Sequence, residues 1–249
     1  IFRQEEASRI IINAHLVNHG RIPQLKPPAQ LSDFYFVNAE EPDEGHNLLL
    51  RLVKERIPQR FNCDPIRDIQ IISPMTRGPL GTRYLNKLLQ DELNPHPPEA
   101  SVSRYGWNYG PGDKVIQLSN DYNKDVFNGD IGFVNSIDHD MKEAHIVFEG
   151  RLVTSLFDEL DDVVPAYAIT IHKSQGCEFP AVIVPVHTQH YIMLQRNLLY
   201  TAITRGKRLV VLLGTKKAVA IAVRNAVSGE RFCALTERLR GVLATGKSL

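Results

Sequence analysis

A chain of 249 residues with 43% hydrophobic content has room for one sizeable core, or a core with a small satellite, and its 29 basic and 28 acidic residues leave a formal charge of only +1. Its longest apolar runs, such as Leu209 to Leu213, fall far short of the roughly 20 residues a membrane-spanning helix needs, and with no signal-peptide pattern at Ile1 no membrane targeting is expected. Cys63, Cys177 and Cys233 stand far apart without a CxxC pair, which suggests neither a disulfide framework nor a zinc cluster and fits a reducing, cytoplasmic setting.

The chain opens on Ile1 and enters a helical pattern at once, as if a preceding strand had been cut away, so the expectation is a fragment of a longer protein. Ala7, Ile11, Ala14 and Val17 recur at helical spacing and Gly20 follows as a C-terminal stop, which predicts a helix over 5–19. DFYFVN reads as a buried strand. Leu48, Leu49, Leu52, Val53 and Arg56 mark a second helix, expected to end before Pro58. RDIQIIS is a strand rich in β-branched residues, and Leu85, Leu88, Leu89 and Leu93 mark a third helix.

Between about 107 and 164 the rhythm changes to short strands (KVIQLS, DIGFVNSID, AHIVFE, RLVTSLF) joined by Asn-Gly, Gly-Asp and Asp-rich turns, the pattern of a small barrel; a long β-hairpin arm is the alternative. Then the alternation resumes: strand AYAITI, a loop, strand AVIVPV, a helix through NLLYTAIT, strand RLVVLLG, and helices near 216–226 and 233–243. Strands and helices taking turns imply parallel β-α-β units. The expected division is therefore an α/β body from 1–106 and 165–249 with an insert at 107–164.

Charge is split along the same lines. Residues 112–165 hold twelve acids against Lys114, Lys124, Lys142 and Arg151, a balance of −8, which leaves twenty-five bases, sixteen acids and +9 on the remainder. A basic body suits a polyanionic partner, whereas the acidic insert gains little from phosphate contacts; uneven surface charge without meaning is the plainer account.

Three stretches carry candidate chemistry. GVLATGKS, Gly241 to Ser248, satisfies the G-x-x-x-x-G-K-[ST] phosphate-loop pattern, but a working loop needs a strand before it and a helix after it, and here a helix precedes it and only Leu249 follows. HKSQG has better context, because a strand leads into it and another follows; this is expected to place it at the C-terminal edge of a parallel sheet, where open α/β proteins bind ligands. There His172 and Lys173 offer charge and hydrogen bonds to phosphates, Ser174 and Gln175 neutral polar contacts, and Gly176 close backbone approach. A polar turn is the alternative. Arg205 stands at the end of a helix beside Gly206, where it can neutralise charge on a transferred phosphoryl group or merely complement the helix C-terminus.

Taken together, FRQ at 2–4, IISPMTRGPLGTRYLNKLLQ, GDKVIQLSNDYNKDVFNGDIGFV, TIHKSQGCEFPAVIV and LLYTAITRGKRLVVLLG resemble, in family order, motifs of superfamily 1 helicases of the RecD/TraA type, of which the exodeoxyribonuclease V alpha subunit is an example. The resemblance covers nearly the whole chain and implies the second RecA-like motor domain with an inserted SH3-like barrel. It implies that Arg3 and Arg205 face the ATP γ-phosphate as arginine fingers, that Gln4 supports that edge, and that Gly176 and Glu178 border the nucleotide. Pro74, Met75, Thr76, Thr170, His172, Lys173 and Ser174 would line the single-stranded DNA track. Asn86 and Gln90 match the pattern too, with packing and helix capping as the expected job.

The family's first motor domain, with its phosphate loop and Mg²⁺-binding acid, is not in this sequence. The resemblance thus implies ATP and Mg²⁺ as cofactors of a longer parent that translocates 5′ to 3′, with this chain inactive alone. A non-catalytic nucleic-acid or protein-binding module with a motor-like fold is the alternative. The aromatic residues Tyr105, Trp107 and Tyr109 at the start of the insert are suited to packing or to stacking on bases.

Overall fold

The computed structural model describes residues 8–226. Five strands form one parallel sheet in the order β1-β12-β11-β2-β10, namely β1 (Phe34–Asn38), β2 (Ile69–Ser73), β10 (Ala168–Thr170), β11 (Phe179–Val186) and β12 (Gly206–Gly214). Side chains of a strand alternate between faces, so runs buried throughout require cover on both sides. Ile72, Val182, Val184, Val210 and Leu212 enter one core, and Ile71, Ala181, Ile183, Val211 and Leu213 enter the other. Helices α1 (Arg9–Asn18), α5 (Arg196–Ile203) and α6 (Lys216–Arg224) cover the first face. The second is covered by α2 (Pro42–Arg51), α3 (Ile57–Phe61) and α4 (Thr82–Leu93).

Helix ends follow local chemistry. Gly20, at φ +72°, lets its N–H reach the Val17 carbonyl at 2.9 Å and so closes α1. The stop predicted at Pro58 does not occur. A wider π turn over Leu52–Arg56 joins α2 to α3, and the helix runs through Pro58 to Phe61, where Asn62 turns left-handed at φ +50°. Proline removes one N–H and crowds the preceding turn, and the wider turn accommodates both effects.

Between β2 and β10, neighbours in the parallel sheet, the chain builds a separate antiparallel sheet in the order β8-β7-β6-β5-β9. Its strands are β5 (Lys114–Gln117), β6 (Ile131–Asp138), β7 (Glu143–Phe148), β8 (Arg151–Leu156) and β9 (Val163–Pro165). Alternate residues Ala144, Ile146 and Phe148 of β7 point into its own core with Val115, Val134 and Leu160. The outgoing β9 pairs with the incoming β5, Val115 opposite Pro165, so both connections to the body leave side by side.

A hairpin of β3 (Val102–Arg104) and β4 (Trp107–Tyr109) precedes this sheet. Its two turn residues, Tyr105 and Gly106, have φ of +52° and +79°. Positive φ at both positions suits the twist of a two-residue turn, but a tyrosine there costs on the order of 1 kcal/mol against glycine or asparagine.

Candidate nucleic-acid and nucleotide interface

After β2 the chain makes a closed turn that starts α4. Thr82 N–H donates to the Met75 carbonyl at 2.9 Å and Arg83 N–H to the Thr76 carbonyl at 3.1 Å, so loop carbonyls satisfy the orphan donors of the helix. Ser73 Oγ donates to the Leu80 carbonyl at 2.7 Å, and a Cβ on Gly81 would stand 2.5 Å from the Arg77 backbone, so only glycine closes this turn without a shift. Pro74 is buried, Met75 half-buried and Thr76 exposed.

Thr170, half-buried, ends β10 level with Ser73, which puts the start of the next loop beside this turn. Ser174 is fully buried; its N–H donates to the Thr170 carbonyl at 3.1 Å and its hydroxyl to the Ile171 carbonyl at 2.7 Å. That compact turn throws His172, Lys173 and Gln175 into solvent. Partial burial holds the Lys173 ammonium below its ordinary pKa. Thr76, Thr170, His172 and Lys173 therefore share one edge of the sheet, while Pro74 and Ser174 shape the two turns from inside.

The loop does not stay at that edge, as sequence reasoning had it. Consecutive parallel strands require a return crossing, and residues 171–178 make it without a regular helix. Gly176, at φ +89°, turns the chain, and Phe179 N–H donates to the Arg205 carbonyl at 2.8 Å at the opposite edge. There the Arg205 guanidinium donates to the Cys177 carbonyl at 3.0 Å, the Thr201 carbonyl at 3.2 Å and Thr204 Oγ1 at 3.2 Å. All three acceptors are neutral, and among the described residues no carboxylate pairs with it. Beside it Lys207 and Glu178, both about half exposed, form an ion pair at 3.3 Å. Arg205, Gly176 and Glu178 are thus brought together; Arg3 and Gln4, the helix near 233–243 and the Gly241–Ser248 motif lie outside the described residues.

Sequence reasoning missed how the insert is mounted. Asp113, fully buried, accepts from Gln90 Nε2 at 2.6 Å, Tyr167 Oη at 2.7 Å, Gly110 N–H at 2.8 Å and Asn94 Nδ2 at 2.9 Å, and His96 Nε2 lies 3.0 Å away. Asn86, rather than capping its helix, exchanges two hydrogen bonds with the Ala168 backbone at 2.9 and 2.8 Å and stands in for the strand that β10 lacks on its outer side. The available signal was the i, i+4 polar row Thr82, Asn86, Gln90 and Asn94 on a leucine-rich helix. Next to Asp113, Lys114 is 1% exposed, with Nζ 3.4 Å from the Ile69 carbonyl and 5.5 Å from the centre of the Phe179 ring. Burial lowers its pKa to about 7, against weaker opposing pulls from Asp68 and Asp64.

Comparison with known proteins places these features. Residues 165–213 match the UvrD-like helicase C-terminal domain, and residues 85–148 match the SH3 domain of ATP-dependent RecD-like DNA helicases. The ATP-dependent RecD2 DNA helicase of Deinococcus radiodurans is 33% identical over 240 residues, 96% of this chain and 31% of that protein. The RecD subunit of the RecBCD enzyme of Mycolicibacterium smegmatis is 32% identical over 196 residues, 78% of this chain and 33% of that one. The chain thus spans about a third of the relatives it matches. A Pif1 helicase from Bacteroides, solved in complex with ADP-AlF3 and ssDNA, superposes with a TM-score of 0.51 at 18% identity over 99% of this chain and 56% of that one, a likeness of RecA-like fold. A UvrD-like helicase C-terminal domain, an SH3 domain of the RecD-like kind and relatives along nearly its whole length make this chain a member of the RecD-type DNA helicases.

Proposed function

We propose that the chain is the second motor domain of an ATP-dependent 5′–3′ DNA helicase, formed by 1–106 and 165–249 with the SH3 insert at 107–164, and that it is inactive alone. Its partner is a first RecA-like domain of the same protein, which holds the phosphates and the Mg²⁺ of ATP. Arg205 is the finger that meets them, with Gly176 and Glu178 at the nucleotide's border, and Arg3 and Gln4 are assigned to the same nucleotide as a second finger and its support. One observation carries this reading: a guanidinium fixed by three neutral oxygens and no described carboxylate keeps its full charge for an incoming anion. ATP fits such an edge, because the positive group is already oriented before the phosphates arrive. Single-stranded DNA lies at the other edge, on Thr76, Thr170, His172 and Lys173, over turns built by Pro74, Met75 and Ser174. The Pif1 relative in fold, held with a nucleotide analogue and ssDNA, and the ATP-dependent RecD2 helicase support the pairing of the two ligands.

The test is Arg205→Ala in the helicase that carries this domain. ATP turnover is expected to fall at least roughly 10³-fold, the usual worth of an arginine finger, with ssDNA affinity kept within a few-fold. Equal turnover in the two proteins refutes the assignment. Turnover by this chain alone would show that it carries its own phosphate site and would refute both its inactivity alone and its need for a partner domain.

A further inference from the structure

Where the insert meets the body there is a cleft of ≈290 Å³, walled by the turn after β2, the start of α4, the β3–β4 hairpin and the loop after β10. Arg83, Lys173, Tyr105 and Trp107 contribute cations and rings to its lining, and Thr76 and Thr170 join it to the proposed DNA track. Tyr105 is 54% exposed although its hydroxyl is tied to the Asp158 carbonyl at 2.9 Å, so the ring is held in place with a face open. Trp107 rests partly on the core of the insert, with the Arg83 guanidinium 5.9 Å from its ring centre. Among the described residues neither Arg83 nor Lys173 has an acid within ion-pair distance. A fixed aromatic surface beside unneutralised cations is the chemistry that recognises a nucleotide: the base stacks and the phosphate meets the charge. The hairpin turn adds an independent sign, because Tyr105 holds a left-handed conformation that asparagine or glycine would adopt without strain.

We propose that Tyr105 and Trp107 form a stacking platform for a base of the single strand, with Arg83 and Lys173 on the flanking phosphates. This rests on the reading of the chain as a single-strand-binding motor domain and adds to it a contact from the insert. Acidic as a whole, the insert would contribute by stacking rather than by charge, the two cations coming from the body.

Trp107 is the only tryptophan of the sequence, so its emission reports on this cleft alone. The experiment titrates the chain at low salt with a fluorescein-labelled oligothymidylate of roughly 12 nucleotides, within the span single-strand sites cover, and reads label anisotropy and tryptophan emission together. The expected result is a rise in anisotropy with quenching of Trp107 at the same midpoint. Tyr105→Asn is expected to weaken binding by roughly 5- to 150-fold, the worth of one stacked base, while the turn, now relieved of strain, leaves the thermal midpoint unchanged or raised. Tyr105→Phe is expected to bind within a few-fold of wild type. Anisotropy that rises with no change in Trp107 emission, or a Tyr105→Asn variant that binds like wild type, overturns the platform and leaves the track standing. No anisotropy change at any concentration removes the track itself, and the platform with it.

Discussion

Lys114 allows a prediction whose size can be worked from the structure. The side chain is 1% exposed, makes one long contact of 3.4 Å to the Ile69 carbonyl, and has no described carboxylate in ion-pair range. Burial brings its folded-state pKa down to about 7 from the ordinary lysine value of 10.5. Well above pH 10.5 the lysine is neutral folded and unfolded, and its charge costs the fold nothing. As pH falls toward 7 the unfolded chain takes up a proton that the folded chain refuses, so stability drops; below about 7 the penalty is complete, on the order of 5 kcal/mol for a shift of this size. Lys114→Met keeps the stem against Phe179 and removes the titration. The variant is therefore expected to be more stable than wild type at pH 7, with the gap closing by about 2 kcal/mol between pH 7 and pH 9. Urea unfolding of both proteins at several pH values measures this. Comparing the two cancels other groups that titrate in the window without facing Lys114, and a Cys177→Ser background in both proteins removes the one cysteine that does face it. Parallel stability curves, or a variant less stable at every pH, would show that the ammonium is solvated or paired and that the burial argument is wrong.

Other expectations concern the joints around the two edges. Asp113→Ala strips the acceptor from several buried donors and should cost about 3–5 kcal/mol in urea unfolding, against less than about 0.5 for the exposed control Asp140→Ala; a loss below about 1 kcal/mol would mean the network does not hold the insert. Gly81→Ala forces a methyl against the Arg77 backbone and should lower stability by about 1–3 kcal/mol, read as a thermal midpoint several degrees down; an unchanged midpoint would show that the turn yields. Lys173→Ala, if the side chain contacts a phosphate, should reduce the slope of log affinity for single-stranded DNA against log salt by about 0.7; an unaltered slope takes Lys173 off the backbone.

Much of the architecture could be read from the chain because periodicity reports burial. IQIIS, AVIVPV and LVVLLG are buried on both faces, as strands of a covered parallel sheet must be, and the alternation in AHIVFE marks a sheet with a single inner face. Pattern reading failed where one backbone feature absorbs another's cost. Pro58 predicts a stop, and the π turn before it lets the helix continue. The motif stretches located Arg205, Glu178 and the HKSQG loop, yet not the division of that loop between two edges, because which edge a loop residue reaches depends on where the next strand begins. Ser174 reads as a free hydroxyl in sequence and is buried in the structure, since loop polarity does not tell a solvent contact from an internal one. Asp113 was hidden for a similar reason: its partners come from α4, the hairpin and the stretch before β10, far apart in the chain.

The connection from β10 to β11 has little spare length. Thr170 sits level with Ser73 and Ala181 with Ile69, so Phe179 begins about six residue steps lower, or about 20 Å down the sheet and two strand spacings across. Nine peptide steps fully stretched reach only about 30 Å, and the turns around Ser174 shorten that further. A connection this short, coiled into hydrogen-bonded turns, limits how far its two ends can move apart. The Cys177 carbonyl, to which the Arg205 guanidinium donates, and the turn that carries Lys173 lie on that one short path, and one residue inserted at Gln175 would lengthen it.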